Sequence, residues 1–348
     1  MRGFKIEMKK SKLNILLLIF CLSSEMIYSD QKESKYKITV DRHKEVLITP
    51  KNSKAGDNIC GPCVIRVPEW VKNPLGKYYM YFARHSSSNM SGAFIRFAYS
   101  NSPKGPWTVD NKKVLRREDL IDISRYKSGE IKKPLRKKQH IASPDVLIDH
   151  KNQKIVMYFH GSYKGHNTGA AVSDDGLNWK DMDIDLGEPY LRVFKHNETF
   201  YGISQGPRHN KSTRFIKLNG MFKVSESHCI PSTNWRHHTI LKKNYDLLVF
   251  YSRYNDAPGR IQASVIDISN SDIKDWTIPS TLIEVLKPEL PYEGSNLQLK
   301  PSGSGRKNLN EVRDPYILED EGKIFLYYSV KGEMGIAVAE LTINEVEK

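Results

Sequence analysis

The feature that most constrains this chain is an internal repeat. Five segments share one plan: a first strand-like run, a polar turn, a second run with paired aromatics, and a third run that ends in a turn. The second runs are "YYMYFAR" (78–84), "IVMYFHG" (155–161), "TFYGISQ" (199–205), "LLVFYSR" (247–253) and "IFLYYSV" (324–330). Third runs follow as "FIRFAYS", "TGAAVSD", "TRFIKL", "RIQASVID" and "GIAVAEL". Short stretches rich in Tyr, Phe, Val and Ile, bounded by turn residues, read as strands. Two third runs lead into similar turns, "SNSPKGPW" closing on Trp107 and "SDDGLNW" closing on Trp179; "SNSDIKDW", closing on Trp276, is a looser third.

Units of this size cannot bury their faces alone, and radial repetition both buries them and protects the sheet edges. The expected fold is therefore all-β, a five-bladed β-propeller. The innermost strand of each blade lines the central channel, so residues that open those strands converge from distant parts of the chain. The spacing is regular: Asp145–Tyr158, Glu188–Tyr201, His237–Phe250 and Asp314–Tyr327 are each 13 residues apart. In the first repeat "GPCVIRV" matches "SPDVLID", which sets Cys63 against Asp145, with a longer turn, "PEWVKNPLG", before the second strand. The segment 34–50 is expected to add an N-terminal strand that closes or covers the ring. Segments 108–139 and 278–311 read as long loops over one face, the latter carrying Glu293 toward the pocket.

Residues 1–29 read as a signal peptide, and 30–348 as a single domain. Arg2, Lys5, Lys9, Lys10 and Lys12 form a basic start, and "LNILLLIFCL" (13–22) is apolar but too short to span a bilayer. The bulky Ile19 and Phe20 stand where lipidation of Cys21 would want small residues. The expected location is secreted or periplasmic, with no integral membrane span. Removing the leader leaves Cys60, Cys63 and Cys229, too few for a disulfide framework, and Cys60-x-x-Cys63 has no second ligand pair near it. The formal charge of +14 falls to about +11, since five of the basic residues and Glu7 and Glu25 go with the leader. Export argues against nucleic acid and leaves an anionic carbohydrate open.

Several stretches carry a family resemblance: "GPCVIRVPEW…GKYYMYFA", "AYSNSPKGPW", "HIASPDVLID", "SDDGLNW" and "VRDPYILEDEGKIFLYYS". Together they run from about Asn58 to Leu341 and resemble the five-bladed propeller superfamily of arabinanases, levansucrases and invertases, nearest to family 43-like glycoside hydrolases. That resemblance implies three carboxylates from the first three blades: a general base, a residue that tunes the acid, and the general acid. Asp145 matches the second-blade aspartate, and Glu188 occupies the third-blade slot by register. The first-blade slot holds Cys63, or Pro62 if shifted by one, and neither is a carboxylate. The resemblance also allows a calcium ion on the axis, held by a histidine and waters, although no spacing here is diagnostic of a metal site.

The residues themselves point the same way. Glycoside hydrolysis uses two carboxyl groups, one protonated to release the leaving group and one to activate water or attack the sugar. Asp145 and Asp314 are the expected pair, with Glu188 or His237 as the acid; an imidazole serves near neutral pH. His85, His140 and His160 are expected to border the pocket. Arg84, Arg192, Arg236, Arg253 and Arg313 lie in or beside inner or second strands, and several arginines in one pocket would favour a uronic or sulfated sugar. Trp70, Trp235 and Tyr292 are candidates for stacking on a sugar ring. The leading expectation is a secreted glycoside hydrolase. Its alternatives are a glycan-binding propeller that has lost the first-blade base, favoured by Cys63, and a glycoside phosphorylase.

Overall fold

The computed structural model describes residues 34–51, 56, 58–84, 94–116, 119–120, 128, 141–161, 167–207, 211–302 and 307–346. Those residues form five four-stranded antiparallel sheets. The first blade holds β2 (Cys60–Arg66), β3 (Tyr78–Arg84), β4 (Phe94–Ser100) and β5 (Thr108–Leu115). The second holds β6 (Ala142–Asp149), β7 (Lys154–His160), β8 (Thr168–Ser173) and β9 (Lys180–Asp181). The third holds β10 (Arg192–His196), β11 (Thr199–Gln205), β12 (Thr213–Asn219) and β13 (Lys223–Ile230). The fourth holds β14 (Trp235–Lys243), β15 (Asp246–Arg253), β16 (Ile261–Asp267) and β17 (Ile283–Leu286). The fifth combines β18 (Lys307–Asp320), β19 (Lys323–Gly332) and β20 (Ile336–Glu345) with the N-terminal β1 (Tyr36–Arg42).

The inner strands close a circle: β2 touches β6 and β18, β14 touches β18 and β10, and β10 touches β6. This is a five-bladed propeller, as the repeats imply. In four blades the fourth, outer strand is one that the sequence pattern does not reveal; in the fifth it is β1, the N-terminal strand expected from 34–50. The physical reason is burial. A second strand such as β3, "YYMYFAR", lies between neighbouring blades and is buried on both faces over six of its residues, so it reads as an unbroken apolar run. An outer strand such as β13, "KVSESHCI", is exposed or half-buried throughout and carries no such signal. Thus 108–115 and 283–286, expected within loops, are outer strands β5 and β17.

The second-strand aromatics form the core between blades. Tyr79, Tyr81, Phe82, Tyr158, Phe159, Phe250, Tyr327 and Tyr328 are all at most 2% exposed. Burial of each contributes about 1.5–3 kcal/mol. The ring is closed by β1, which pairs along β20 from Tyr36↔Glu345 to Arg42↔Ala339. Two anchors fix that strand. Tyr36 Oη and Lys35 Nζ each donate to Asp246 Oδ2 at 2.6 Å. Arg42 Nε donates to Glu293 Oε1 at 3.1 Å. Glu293 is fully buried, and it also accepts from Tyr328 Oη and from the amides of Glu289 and Leu290. The structure therefore gives Glu293 to the closure of the ring rather than to the pocket. Among the described residues no helix is long and apolar enough to cross a membrane. The leader expected at 1–29 lies outside the described residues.

Candidate functional site

In four blades the inner strand breaks its ladder near its start. Register shifts fall between Cys60 and Cys63, Ala142 and Asp145, Arg236 and Thr239, and Arg313 and Tyr316. Within each bulge one residue has positive φ: Gly61 (+60°), Ser143 (+51°), His237 (+49°) and Asp314 (+53°). In the third blade Tyr190 (φ +63°) takes the same conformation two residues before β10. For residues other than glycine such backbone is uncommon, and it re-aims a side chain that a regular strand would point into the sheet. Proline follows at Pro62, Pro144 and Pro315, where the interrupted ladder does not miss the absent N–H.

These five residues meet around the axis. The Gly61 amide donates to Asp314 Oδ2 at 3.3 Å. A Cβ on Gly61 would find Ser143 Cα at 3.6 Å. His237 Nδ1 lies 2.5 Å from Asp314 Oδ1, and His237 Nε2 lies 3.2 Å from Tyr190 Oη. The Tyr190 ring stands edge-on to His237 at 4.7 Å and to His160 of the second blade at 4.9 Å. One chain of contacts therefore joins all five blades at one end of the channel.

The electrostatics assign protonation. Burial alone would raise the Asp314 carboxyl. The His237 ring beside it, their hydrogen bond, Arg313 and Arg236 outweigh burial and hold it well below the usual carboxylate range. Burial lowers His237 to about 4, against the opposing pull of Asp314. At neutral pH the pair is an ionised carboxylate and a neutral imidazole. The short contact assigns the ring proton to Nδ1, which donates to Asp314. Nε2 is then an acceptor for the Tyr190 hydroxyl, and a base toward any water or sugar hydroxyl that displaces it.

One pairing step along the inner strands lies a second layer. Asp145 pairs with Tyr158 across β6 and β7, Cys63 with Tyr81, and Tyr316 with Tyr327. Asp145 is 8% exposed and sits 3.8 Å from Arg192 Nε. Burial raises its pKa, partly offset by Arg192 and by the Val193 amide. Cys63 is hydrogen-bonded with Tyr316, and burial, with Asp145 nearby, pushes its thiol far up, so it is no thiolate.

The 13-residue spacing thus misassigns two of its four positions, for reasons visible in the hairpins. The β6–β7 turn leaves four residues between Asp149 and Lys154, whereas β14–β15 and β18–β19 turn through two. Counting back 13 from Tyr158 therefore stops two residues late, at Asp145 instead of Ser143. Tyr201 is the third residue of β11, while Tyr158, Phe250 and Tyr327 are each fifth in their strands, so counting back from it overshoots to Glu188 instead of Tyr190. Glu188 is half-buried near Arg214 and Cys229 of the outer third blade. The first-blade slot is Gly61 rather than Cys63 or Pro62. The signal that would have found Gly61 and Ser143 is the proline after them, shared with Asp314; nothing in the sequence around Tyr190 marks it.

The arginines divide by environment. Arg313 is 1% exposed and bound to Glu333 and Glu311, which makes it an ion-pair hub behind Asp314. Arg192 donates to the carbonyls of His238 at 2.8 Å and Leu191 at 3.3 Å. Arg236 is buried against His237, with its guanidinium 4.9 Å over the Tyr254 ring. Arg84 and Arg253 are half-buried at the ends of β3 and β15. Trp235 stacks at 4.0 Å on Tyr251 in the core, and Tyr292 bonds the His43 carbonyl, so neither is displayed to a sugar. His85 and His140 lie outside the described residues. Among the described residues no group of three or more His, Cys, Asp or Glu side chains is placed to share a metal ion. An open cleft of about 480 Å³ lies elsewhere, between β5 and the turn at 177–179, and no ring residue lines it.

No model of a known protein family matches the chain. An uncharacterized protein of Acanthamoeba polyphaga mimivirus is 30% identical over 308 residues, covering 82% of this chain and 83% of that one. A putative glycoside hydrolase from Bacteroides ovatus superposes with a TM-score of 0.60 at 13% identity, covering 87% of this chain and 96% of its own. A family 43 β-xylosidase/α-arabinofuranosidase from a compost microbial metagenome, solved with xylotriose, gives 0.54 at 15% identity, covering 89% and 96%. At these identities the structural likeness establishes the fold alone, a five-bladed propeller.

Proposed function

The chain belongs to the family of the mimivirus protein, and from that premise, with a propeller of family 43 type, we propose that it is an exported carbohydrate-active enzyme cleaving a glycan at the axial ring. The observation that carries this reading is the 2.5 Å contact between Asp314 and a neutral His237 inside a ring of residues from all five blades. His237 Nε2 takes a proton from water as the water oxygen attacks the anomeric carbon. The glycosidic C–O bond breaks, and the departing oxygen takes a proton from Asp145, whose raised pKa suits an acid. A neutral imidazole accepts a proton rather than supplying one, so His237 is the base in this scheme. The xylotriose bound by the compost enzyme supports a carbohydrate ligand for this fold. The basic, apolar N-terminus supports export.

A second reading has its own observation. Of the five ring positions only Asp314 is a carboxylate, and Gly61 and Ser143 stand at the first two, so a propeller that holds a glycan without cleaving it fits the same geometry. Reducing-sugar release from a panel of neutral, uronic and sulfated oligosaccharides, for wild type, Asp314→Asn and His237→Gln, separates the two. Release by wild type that both variants lose supports hydrolysis. A thermal shift with one glycan and no release supports binding alone, and release of a sugar phosphate only when inorganic phosphate is present would mean phosphorolysis. Equal release by wild type and both variants would sink the assigned site.

A further inference from the structure

Among the described residues Arg236 has no oxygen acceptor, only the ring nitrogens of His237. Its side chain stands beside the axial ring at 8% exposure, against His237 and 4.9 Å over the Tyr254 ring, whose hydroxyl accepts from Gln205 Nε2 at 3.1 Å. Its Nε lies 3.3 Å from His237 Nδ1, and its Nη2 lies 3.5 Å from His237 Nε2. Neither ring nitrogen is available. Nδ1 carries the proton given to Asp314 at 2.5 Å, so it has no lone pair to offer, and the single lone pair of Nε2 faces the closer Tyr190 hydroxyl at 3.2 Å. Of the other buried arginines, Arg192 has two carbonyls and Arg313 has Glu311 and Glu333, while Arg96, in β4 away from the inner strands, lies 5.0 Å over the Phe94 ring. A buried guanidinium without an acceptor is costly, and proteins keep such groups paired.

We propose that Arg236 binds an oxyanion carried by the sugar, the carboxylate of a uronic acid or a sulfate ester, and so restricts the site to anionic glycans. This rests on the axial ring being the glycan site. The Tyr254 ring lies 4.9 Å from the guanidinium carbon, and an arginine fork makes bidentate contacts with carboxylate or sulfate through its edge. Asp314 does not repel such a group strongly, because His237 and Arg313 lie against it.

The test compares binding of three matched sets by calorimetry: a panel of α- and β-linked oligouronates, their carboxyl-reduced neutral counterparts, and sulfated versions of those neutral sugars. Wild type should bind an oligouronate or a sulfated sugar about tenfold or more tighter than the matched neutral one. In Arg236→Gln the ratio should fall toward one, and Arg236→Lys should recover part of it, with unchanged far-ultraviolet circular dichroism showing that both variants fold. Tight uronates with indifferent sulfates assign a carboxylate, and the reverse assigns a sulfate. Neutral glycans bound as well as charged ones by wild type, or a preference that survives in Arg236→Gln, overturns the inference and leaves the glycan site standing. No binding by any member of the three sets overturns both.

Discussion

Replacing Asp314 by Asn should change stability, the His237 proton and turnover together. The carboxylate uses both oxygens: Oδ1 accepts from His237 at 2.5 Å, and Oδ2 accepts from the Gly61 amide at 3.3 Å and Ser329 Oγ at 2.9 Å. An amide has one acceptor and one donor at those places. If its oxygen stays with Gly61 and Ser329, its NH₂ faces His237 Nδ1, and the imidazole must move its proton to Nε2. If the amide turns over, its NH₂ opposes the Gly61 N–H and loses that bond. Hydrogen bonds to charged groups are worth about 1.5–3 kcal/mol each, so losing one buried contact should cost about 2–3 kcal/mol. The base would now carry its proton on the nitrogen meant to accept one, and general acid–base catalysis contributes about 10²–10⁴ in rate. Urea unfolding followed by tryptophan fluorescence reads the stability, and long-range ¹H–¹⁵N correlation of the histidine ring reads the tautomer. A wild type with its proton on Nε2, or a variant that keeps its proton on Nδ1 at no cost in stability, would refute the proton assignment.

Three further predictions use other parts of the molecule. His237 and His238 are lowered to about 4 and about 3, both chiefly by burial, so the unfolded chain binds protons that the folded chain does not as pH falls below about 6.5. Stability should be fully present above that pH and fall between about 6.5 and 4, by on the order of 3 kcal/mol for His237 alone, which melting curves at pH 7 and 4.5 would show; His237→Gln should flatten the slope. Glu293→Gln weakens the anchor of β1 at Arg42 Nε and Tyr328 Oη and should cost about 3 kcal/mol, with proteolysis beginning at the N-terminal strand; resistance equal to wild type would contradict that role. Gly61→Ala meets nothing closer than Ser143 Cα at 3.6 Å but must hold φ near +60°, so it should cost only about 1 kcal/mol and leave the protein folded; a loss several times larger would mean the slot has no spare room.

The propeller was legible because its second strands are buried on both faces and must be apolar throughout, as in Tyr78–Arg84 and Lys323–Gly332. The outer strands were not, because Lys223–Ile230 needs no apolar pattern to pair at the rim. Asp314 and His237 fall in one register because their hairpins turn through the same number of residues. Asp145 was set beside them by a longer hairpin, and Glu188 by a second strand that places Tyr201 third instead of fifth. A spacing count measures turn length and strand position together, whereas a bulge is fixed by backbone chemistry, and the prolines after Gly61, Ser143 and Asp314 record it. Tyr190 had no signal at all, since its role comes from a positive φ that no neighbouring residue type announces. Glu293 looked free because the strand that covers it, β1, lies some 250 residues away in the chain.

The central claim is that a glycan occupies the axial ring. The most direct test is a crystal structure with the oligosaccharide that gives the largest thermal shift. The account predicts a sugar within hydrogen-bond distance of His237 Nε2 and Tyr190 Oη, with the anomeric carbon on the Asp145 side and a charged substituent on Arg236. A sugar bound in the cleft of Asn111, Lys112 and Trp179, with the ring still closed by its own contacts, would contradict it.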